Sequence, residues 1–393
     1  MQFSNMFKNI GRIGMEMFLL FQHHTTLDLL RNVSDDVDVF TITGTGWHFI
    51  KYLGPAVVVV GPDTRSERNV HQVMAGPTYQ GLFPKVAVLP PSVQHCIWML
   101  PVPIIYPRLE SMEHLANTVA TGKKAVTGAF NMAGKVAGGL AGVVGAKGAV
   151  NDGFNAVKKA VGKSGLMSSV ISPFGEIDLL DELRDQWTHE SKVSDGLGFL
   201  LNPFTADNVR KQDLERTYLI RTLQGIAHNK SLRMSFFSGS VSCCGAGLVY
   251  DVAHPQDHKT MYQIITCPVV NAPVSGPILR MLHNNKPLYV PANGHRSNNQ
   301  PSDTKEDMME IFGQDVTGAA RETKRLMARR NYVACVAFDP ATVGGAAAAP
   351  PAGGAQAPGK LSLAIDFMVQ GEGIYAGPVK YGPVIVPSLE YGK

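Results

Sequence analysis

The sequence predicts a mixed α/β or α+β fold whose sheet contains both fully buried and half-buried strands. Residues 55–60 (PAVVVV) and 95–102 (HCIWMLPV) are apolar on both faces, which is typical of buried central strands. Residues 361–369 (LSLAIDFMV) begin by alternating apolar and polar side chains, as a half-buried strand does. Because helical patterns are interspersed with both kinds of strand, we expect a mixed α+β core rather than a helix bundle.

Length and composition indicate a globular chain. The 393 residues correspond to two or three units of ~150 residues, or to one large domain with insertions. A hydrophobic content of 45% and a charged content of 17% exclude wholesale disorder. The five cysteines are odd in number and form no CxxC pair, and Cys96, Cys267 and Cys335 lie in apolar, strand-like runs. We therefore expect buried, reduced thiols rather than disulfides or a zinc site.

Residues 1–31 predict a long helix, since large apolar side chains recur at steps of three and four. We expect this apolar face to pack in the core. If the segment that normally covers it were absent, we would expect the helix and strand 55–60 to expose apolar surface and the chain to self-associate. The N-terminus does not resemble a signal peptide, and its apolar run, interrupted by Glu16, is too short to span a bilayer. The expected location is cytoplasmic or membrane-peripheral.

Residues 116–165 form a low-complexity insertion rich in Ala, Gly, Val and Lys, which divides the chain into 1–115, 116–165 and 166–393. Its eleven glycines would cost an isolated helix on the order of 10 kcal/mol relative to alanine. The favoured interpretation is a flexible surface insertion, and the alternative is a basic amphipathic helix on anionic lipid. The lysines of that alternative are Lys123, Lys124, Lys135, Lys147, Lys158, Lys159 and Lys163.

Charge is unevenly distributed along the chain. Over residues 114–164, seven lysines against the single acid Asp152 give a net charge of +6, which leaves about −2 for the rest of a chain whose total is +4. A chain that is nearly neutral outside one basic segment is not typical of a dedicated nucleic-acid binder, so we expect no nucleic-acid partner.

The second half predicts helices and further strands. Residues 174–190 are an acidic amphipathic helix, and residues 213–228 a second helix with Leu214, Tyr218, Ile220 and Leu223 facing inward. Strands are predicted over 232–237, 246–252, 262–267 and 332–338. Residues 340–359, rich in Ala, Gly and Pro, are expected to be a flexible loop joining the two strands of a hairpin.

Two motifs carry candidate binding residues. The loop GPDTRSER (61–68) follows a central strand, where α/β sheets place ligands, so Arg65 and Arg68 could hold a phosphate. An Asp63–Arg pair that fixes the loop is an equally good interpretation. His23 and His24 could bind a metal or face a substrate, although a structural histidine pair is commoner and adjacent helical residues share no face.

Three other motifs do not support catalysis. Residues 238–244 (SGSVSCC) follow a strand but lack the glycine of a nucleophile elbow. Residues 162–164 (GKS) imitate the end of a P-loop without its first glycine or its preceding strand. His254, Asp257 and His258 have a spacing that metals can use, but they lie in a proline-containing segment that we expect to be a solvated loop.

An ordered set of strings resembles the PhoD-like metallophosphatase domain of fungal proteins. The strings are FQHHTTLDL (21–29), VVVVGPDTRSERNVHQVM (57–74), LPVPIIYPRLE (100–110), FGEIDLLDELRDQW (174–187), ERTYLIRTLQ (215–224), FFSGSVSCC (236–244) and ARRNYVACVAF (328–338). The resemblance implies a metallophosphoesterase-like core of β-sheets sandwiched between helices. It also implies hydrolysis of phosphomonoesters or phosphodiesters by divalent or trivalent metal ions.

The chain departs from the family pattern in two places. The family's first metal-binding motifs, rich in Asp and His, lie upstream of FQHHTT and have no counterpart here. A later Gly-Asp-Val-His motif reads Gly239-Ser240-Val241-Ser242, so Ser240 and Ser242 stand where the family has metal ligands. Since neutral hydroxyls are weak metal ligands, we expect a catalytically impaired binding or scaffold module, associated with a membrane through its basic segment. The alternative is an active phosphoesterase whose N-terminal half is missing from the chain.

Overall fold

The computed structural model describes residues 5–32, 39–44, 46–68, 72–107, 206–240, 243–270, 273, 276–283, 288–292, 297–343, 359–373 and 375–390. The helices are α1 (Asn5–His23), α2 (Leu27–Asn32), α3 (Gly76–Ala87), α4 (Ala206–Lys230), α5 (Gly276–His283) and α6 (Pro340–Val343). The strands are β1 (Val39–Phe40), β2 (His48–Tyr52), β3 (Val57–Gly61), β4 (His95–Leu100), β5 (Arg233–Gly239), β6 (Cys244–Tyr250), β7 (Met261–Thr266), β8 (Leu288–Tyr289), β9 (Lys305–Met308), β10 (Leu326–Met327), β11 (Asn331–Phe338), β12 (Ser362–Val369) and β13 (Val379–Pro387).

A large mixed sheet forms the centre of the molecule. Its strand order is β1-β2-β3-β4-β5-β7-β6-β9-β8, and β10 pairs with β6. The four central strands β3, β4, β5 and β7 are parallel, whereas the pairs on either side are antiparallel. Every residue of β3 is buried, which confirms the interpretation of its valine run as a central strand.

A second sheet of three antiparallel strands, in the order β11-β12-β13, packs on one face of the large sheet. Ile97 and Ile264 of the large sheet share an apolar cluster with Ile365 and Phe367 of β12. On the opposite face, Leu82 of α3 and other residues of α3 and α4 pack against the sheet. The fold is therefore a mixed α/β sandwich, as predicted, and β11 and β12 are the predicted antiparallel hairpin strands.

The N-terminal helix differs from its prediction. The predicted single helix is two helices, because His24 ends α1 with a φ of +54° and Thr26 begins α2 by accepting a hydrogen bond from the Leu29 backbone N–H. The prediction of a core-packed face is wrong, since α1 buries Leu19 whereas its other large apolar side chains are mostly exposed. Strand β3, whose exposure we expected only if a covering segment were absent, is buried.

Two smaller predictions of burial are also wrong. In α4, Ile220 and Leu223 are buried, but Leu214 and Tyr218 are 38% and 49% exposed. Tyr218 packs edge-on against Tyr79 of α3 at the rim of the core, at a ring distance of 5.7 Å. All five cysteines are free thiols, but Cys335 is exposed because β11 is an edge strand whose residues 334–337 are uncovered on both faces.

Several predicted features lie outside the described residues. They are the insertion 116–165 with its seven lysines, the acidic helix 174–190, and all of the predicted loop 340–359 except α6 and Gly359. In the part of the chain that the structure describes, no helix has the length and apolar character needed to cross a lipid bilayer.

Gln94 and His95 attach the three-stranded sheet to the start of β4. The Gln94 side chain donates to the Gly359 carbonyl at 3.0 Å and accepts from the Leu361 backbone N–H at 2.7 Å. His95 Nε2 donates to the Leu361 carbonyl at 2.8 Å, and the imidazole is fully buried. Burial lowers the pKa of His95 to about 4, the bond to Leu361 opposes this shift, and the nearby Arg233 adds to it.

We expect acid to weaken this attachment. The unfolded chain takes up a proton on His95 near pH 6.5 but the folded chain only near pH 4, so stability is complete above pH 6.5 and falls as the pH drops towards 4. The loss amounts to at most about 3 kcal/mol. Urea unfolding at pH 7.5 and 4.5 measures it, and His95→Gln should reduce the difference. A His254→Gln control, at a side chain that is 74% exposed, should not; an unchanged difference in His95→Gln contradicts the prediction.

Candidate functional site

The four parallel strands end at one edge of the large sheet, which we call the carboxyl edge. Their last residues are Gly61, Leu100, Gly239 and Thr266. In α/β sheets, ligands bind outside the carboxyl ends of the strands, where loops present side chains and backbone N–H groups. The loops that follow these four strands therefore form the candidate site.

The loop after β3 is organised by Asp63. Its Oδ1 atom accepts hydrogen bonds from the backbone N–H groups of Arg65 and Ser66, both at 2.9 Å, and Oδ2 accepts from Trp47 N at 3.2 Å. Burial alone would raise the pKa of Asp63, but the hydrogen bonds from Ser66, Arg65 and Trp47 lower it below its ordinary value. Asp63 thus fixes the loop as a carboxylate, and its partners are backbone amides and the side chain of Ser66.

His48 of β2 completes this corner. Its Nδ1 atom accepts a hydrogen bond from the Asp63 backbone N–H at 3.0 Å. Burial lowers the pKa of His48, opposed by the charges of Glu67 and Asp63, so the ring is neutral and its proton is on Nε2. Nε2 is buried, and no residue of the described ranges hydrogen-bonds to it.

The two candidate arginines lie in different environments. The side chain of Arg65 is exposed, whereas that of Arg68 is half-buried. The charge of Arg68 acts on Glu215 of α4, where it lowers the carboxyl pKa against the larger effect of burial. Arg65 is therefore accessible to a ligand in solution, and Arg68 faces the interior of the loop.

Two carboxylates that were not predicted from the sequence, the buried Glu67 and the half-buried Glu215, hold the same loop to the helices. Glu67 accepts from the Thr78 hydroxyl of α3 at 2.7 Å, from Ala75 N at 2.8 Å, and from the Thr43 hydroxyl. The connection to α3 is also held by α4, since Glu215 accepts from Val73 N and Met74 N at 2.8 Å and from the Tyr79 hydroxyl at 2.5 Å. Burial raises the pKa of Glu215, opposed by these hydrogen bonds. No local sequence signal marks these roles, because Glu67 lies between Ser66 and Arg68 and Glu215 lies between Leu214 and Arg216.

The two candidate histidines do not form a site together. The His23 ring lies against Phe18 and Phe49, with centroid distances of 5.2 and 5.6 Å, whereas His24 is exposed beyond the end of α1. Burial, followed by the charges of Lys51 and His24, lowers the pKa of His23. Since Phe49 pairs with Gly61, the end of α1 lies near the carboxyl edge. Of the predicted site residues, His23 and Asp63 are thus at the same corner of the sheet.

The loops after β4 and β5 are held by buried polar groups. Gln263 of β7 accepts from the backbone N–H groups of Ile104 and Ile105 at 2.9 and 3.3 Å, which fixes the loop after β4. After β5, Ser240 is buried, its backbone N–H donates to the Thr266 carbonyl at 2.7 Å, and its hydroxyl accepts from Cys243 N at 3.5 Å. Ser242 lies outside the described residues.

One group of potential metal ligands occurs in the described ranges, and it lies at the opposite edge of the sheet. Asp251, His254 and Asp257 have donor atoms within 4.8 Å of one another, in the loop that follows β6, which is antiparallel to β7. The Lys259 ammonium donates to Asp251 Oδ2 at 2.8 Å and pairs with Asp303 at 3.0 Å. The positive charge of Lys259 thus already occupies this cluster. Asp251 was not among the residues predicted from the sequence.

Residues 254–258, which we expected to be a solvated loop, are held in place by Arg233. The guanidinium of Arg233 donates to the carbonyl oxygens of Gln256, Asp257 and Thr260 at 2.7–2.9 Å. The loop is therefore pinned to the start of β5, even though the His254 side chain is exposed to solvent.

Among the residues that the structure describes at the carboxyl edge, Asp63, His48 and Ser240 do not form a hydrolytic metal centre by themselves. Both oxygens of Asp63 accept backbone N–H groups, and the one lone pair of the neutral His48 ring is engaged by Asp63 N. Ser240 offers only a neutral hydroxyl, whereas divalent metals in such sites require carboxylate or imidazole ligands. No catalytic step through a metal is derived from these residues.

Fold and loops together define a mixed-sheet α/β domain with its candidate site at the carboxyl edge. The chain belongs to the PhoD related phosphatase family, whose sequence pattern matches residues 1–393. It is similar to an uncharacterized protein of Saccharomyces cerevisiae, with 23% identity over 364 residues. That similarity covers 83% of this chain but only 43% of the yeast protein, so the chain spans less than half of its relative. No solved structure gives a significant match.

Proposed function

We propose that this chain is a PhoD-related domain that binds phosphate-containing ligands without hydrolysing them by itself, and that it acts as a binding or scaffold module. The main support is the hydrogen bonding of Asp63, whose two carboxylate oxygens are engaged by three backbone N–H groups. A carboxylate used in this way organises a loop and has little capacity left for a metal ion. The exposed guanidinium of Arg65, carried on that loop, is the group best suited to an incoming phosphate.

Phosphate binding is tested by calorimetric titration with inorganic phosphate and with p-nitrophenyl phosphate at low ionic strength. Loss of a charge-assisted hydrogen bond costs about 1.5–3 kcal/mol, so Arg65→Gln should weaken binding by about tenfold or more. Arg280→Gln, at an exposed arginine of α5, is the matched control and should bind as the wild type does. Equal affinities of the two variants would remove Arg65 from the site.

The competing function is that of an active, metal-dependent phosphomonoesterase or phosphodiesterase. It is favoured by the limited coverage of the yeast relative, because residues outside the matched part of such a protein could complete a metal site. Metal analysis and assays with mono- and bis-p-nitrophenyl phosphate in the presence of Mn²⁺, Ca²⁺ or Fe³⁺ separate the two functions. We expect neither stoichiometric metal nor turnover. Tightly bound metal together with turnover that Asp63→Ala abolishes would establish the enzyme instead.

The membrane role rests on the composition of residues 116–165. Each lysine near an anionic membrane surface contributes about 1 kcal/mol, so seven lysines with little compensating acid would hold the domain at such a surface. Flotation with vesicles that contain phosphatidylserine should therefore recover the full chain, and deletion of 116–165 should reduce recovery. Equal flotation of both proteins, or equal flotation with neutral vesicles, removes the membrane from the proposal.

A further inference from the structure

Helix α1 carries a regular stripe of exposed apolar side chains. Met6, Ile10, Ile13, Met17 and Leu20 follow one another at steps of four, three, four and three residues, and they are 41–65% exposed. Phe18 and Phe21 widen the stripe and are 46% and 68% exposed. Leu19, which is fully buried, attaches the helix to the body from the opposite side.

The spacing and the size of this stripe both indicate a helix–helix interface. A mean step of 3.5 residues is the heptad period that keeps an apolar seam facing a partner helix. Seven side chains that are about half exposed present on the order of 700 Å² of surface, which exceeds the ~300–600 Å² of the largest patch on a typical monomer. The stripe is thus larger than a monomer in water normally leaves uncovered.

We propose that the stripe binds the same stripe of a second copy of this chain, with the two helices antiparallel. The stripe is nearly symmetric about Ile13, so that Ile10 meets Met17 of the other copy and Met6 meets Leu20. The pairing would bury at most about 1,400 Å² in total, which lies within the ~1,200–2,000 Å² of specific interfaces.

Charge and side-chain size on α1 are compatible with self-pairing. In the antiparallel arrangement Asn9 lies opposite Glu16 of the other copy, so an amide donor meets a carboxylate. Lys8, Arg12 and Glu16 give the helix a net charge of only +1, so two copies repel each other little. Gly14 lies beside the symmetry axis and has no side chain to hold the helices apart.

The chain of residues 1–393 should show a concentration-dependent dimer in sedimentation velocity between about 1 and 100 µM, the range expected for an interface of modest size. Ile13→Asp should shift this equilibrium to monomer by at least tenfold in Kd. Gln22→Asp introduces the same charge nine residues further on, half a circle around the helix at 100° per residue, and should leave the equilibrium unchanged. Thermal unfolding of both variants shows whether the body remains folded.

Cross-linking tests the orientation of the helices. In a Cys335→Ser background, where the other four cysteines are buried, Ile13→Cys should form a disulfide-linked dimer on mild oxidation. Leu20→Cys should not link to itself, but a mixture of Met6→Cys and Leu20→Cys chains should give linked heterodimers. Strong self-linking of Leu20→Cys would indicate parallel helices and overturn the antiparallel arrangement.

The same variants distinguish a second copy on the stripe from two other occupants, a segment of the same chain and a lipid surface. If the wild type stays monomeric at 100 µM and Ile13→Asp increases hydrogen exchange in residues 174–187, then the chain itself covers the stripe. If Ile13→Asp instead abolishes binding to phosphatidylserine vesicles in a monomeric protein, then the stripe binds lipid. Either result overturns self-association through α1.

Discussion

Replacing Arg216 with methionine should destabilise the protein by about 3–5 kcal/mol, because Glu306 would remain buried without its ionic partner. The guanidinium of Arg216 lies 2.6 and 2.9 Å from the two carboxylate oxygens of Glu306, and both side chains are at least 93% buried. It also donates to the Ser297 hydroxyl at 3.1 Å and to the Ile104 carbonyl at 3.3 Å. One side chain of α4 thus joins β9 to the loop that follows β4.

A double variant distinguishes the cost of an orphaned charge from the value of the ion pair. Arg216→Met combined with Glu306→Leu removes both charges, and apolar replacements of buried pairs are often neutral or stabilising. We therefore expect the double variant to recover most of the stability that Arg216→Met loses. Lys360→Met is the surface control, since the Lys360–Glu390 pair is 3.9 Å long and more than half exposed, and exposed pairs contribute about 0–1 kcal/mol.

Urea unfolding measures these free energies, and a shift in Tm on the order of 10 °C should accompany the single variant. A loss in Arg216→Met no larger than in Lys360→Met would mean that the pair is not buried in solution. Because Arg216 also holds Ile104, the single variant should loosen one loop of the carboxyl edge as well. Hydrogen exchange in residues 101–107 is the direct readout of that loosening.

The sequence predicted structure best where a pattern of side chains is compatible with one position in the fold. The valines of β3 and, apart from the half-exposed Met99, the apolar run of β4 are buried on both faces, as the residues of a central strand are. The hairpin of β11 and β12 followed from two strand patterns around a loop. Helix α3 was not predicted, because Gly81 and Pro84 inside it argue against a helix locally, and burial of Leu82 and Phe83 overrides them.

The rest of the site depends on partners that are distant in sequence. Glu215 is bound by backbone groups about 141 residues away, and Arg216 pairs with Glu306 across 90 residues. No local pattern encodes such pairs, so the carboxylates that hold the candidate loop were missed. The predicted burial of the apolar face of α1 was wrong for a different reason. An amphipathic pattern predicts that one face of a helix is covered, but it does not say by what.

Asp63→Ala should destabilise the protein by about 2–3 kcal/mol, because the backbone N–H groups of Trp47, Arg65 and Ser66 would lose a charged acceptor. Asp63→Asn keeps one acceptor oxygen and should cost only about 1 kcal/mol. Since the folded pKa of Asp63 is lowered, its contribution is complete above its unfolded pKa of about 3.9 and disappears as the pH falls through the folded value. In strong acid, the free energy of unfolding of the wild type should therefore no longer exceed that of Asp63→Asn.

The same two variants decide between a structural and a metal-binding Asp63. If Asp63 is structural, Asp63→Ala lowers the free energy of unfolding by the same amount with and without added Mn²⁺ or Ca²⁺. A metal ligand would instead give a wild type that added metal stabilises, by about 2.7 kcal/mol at one hundred times Kd, and an Asp63→Ala variant that metal leaves unchanged. We expect the first result, since three backbone N–H groups already engage the carboxylate. The second result would restore metal chemistry to the carboxyl edge.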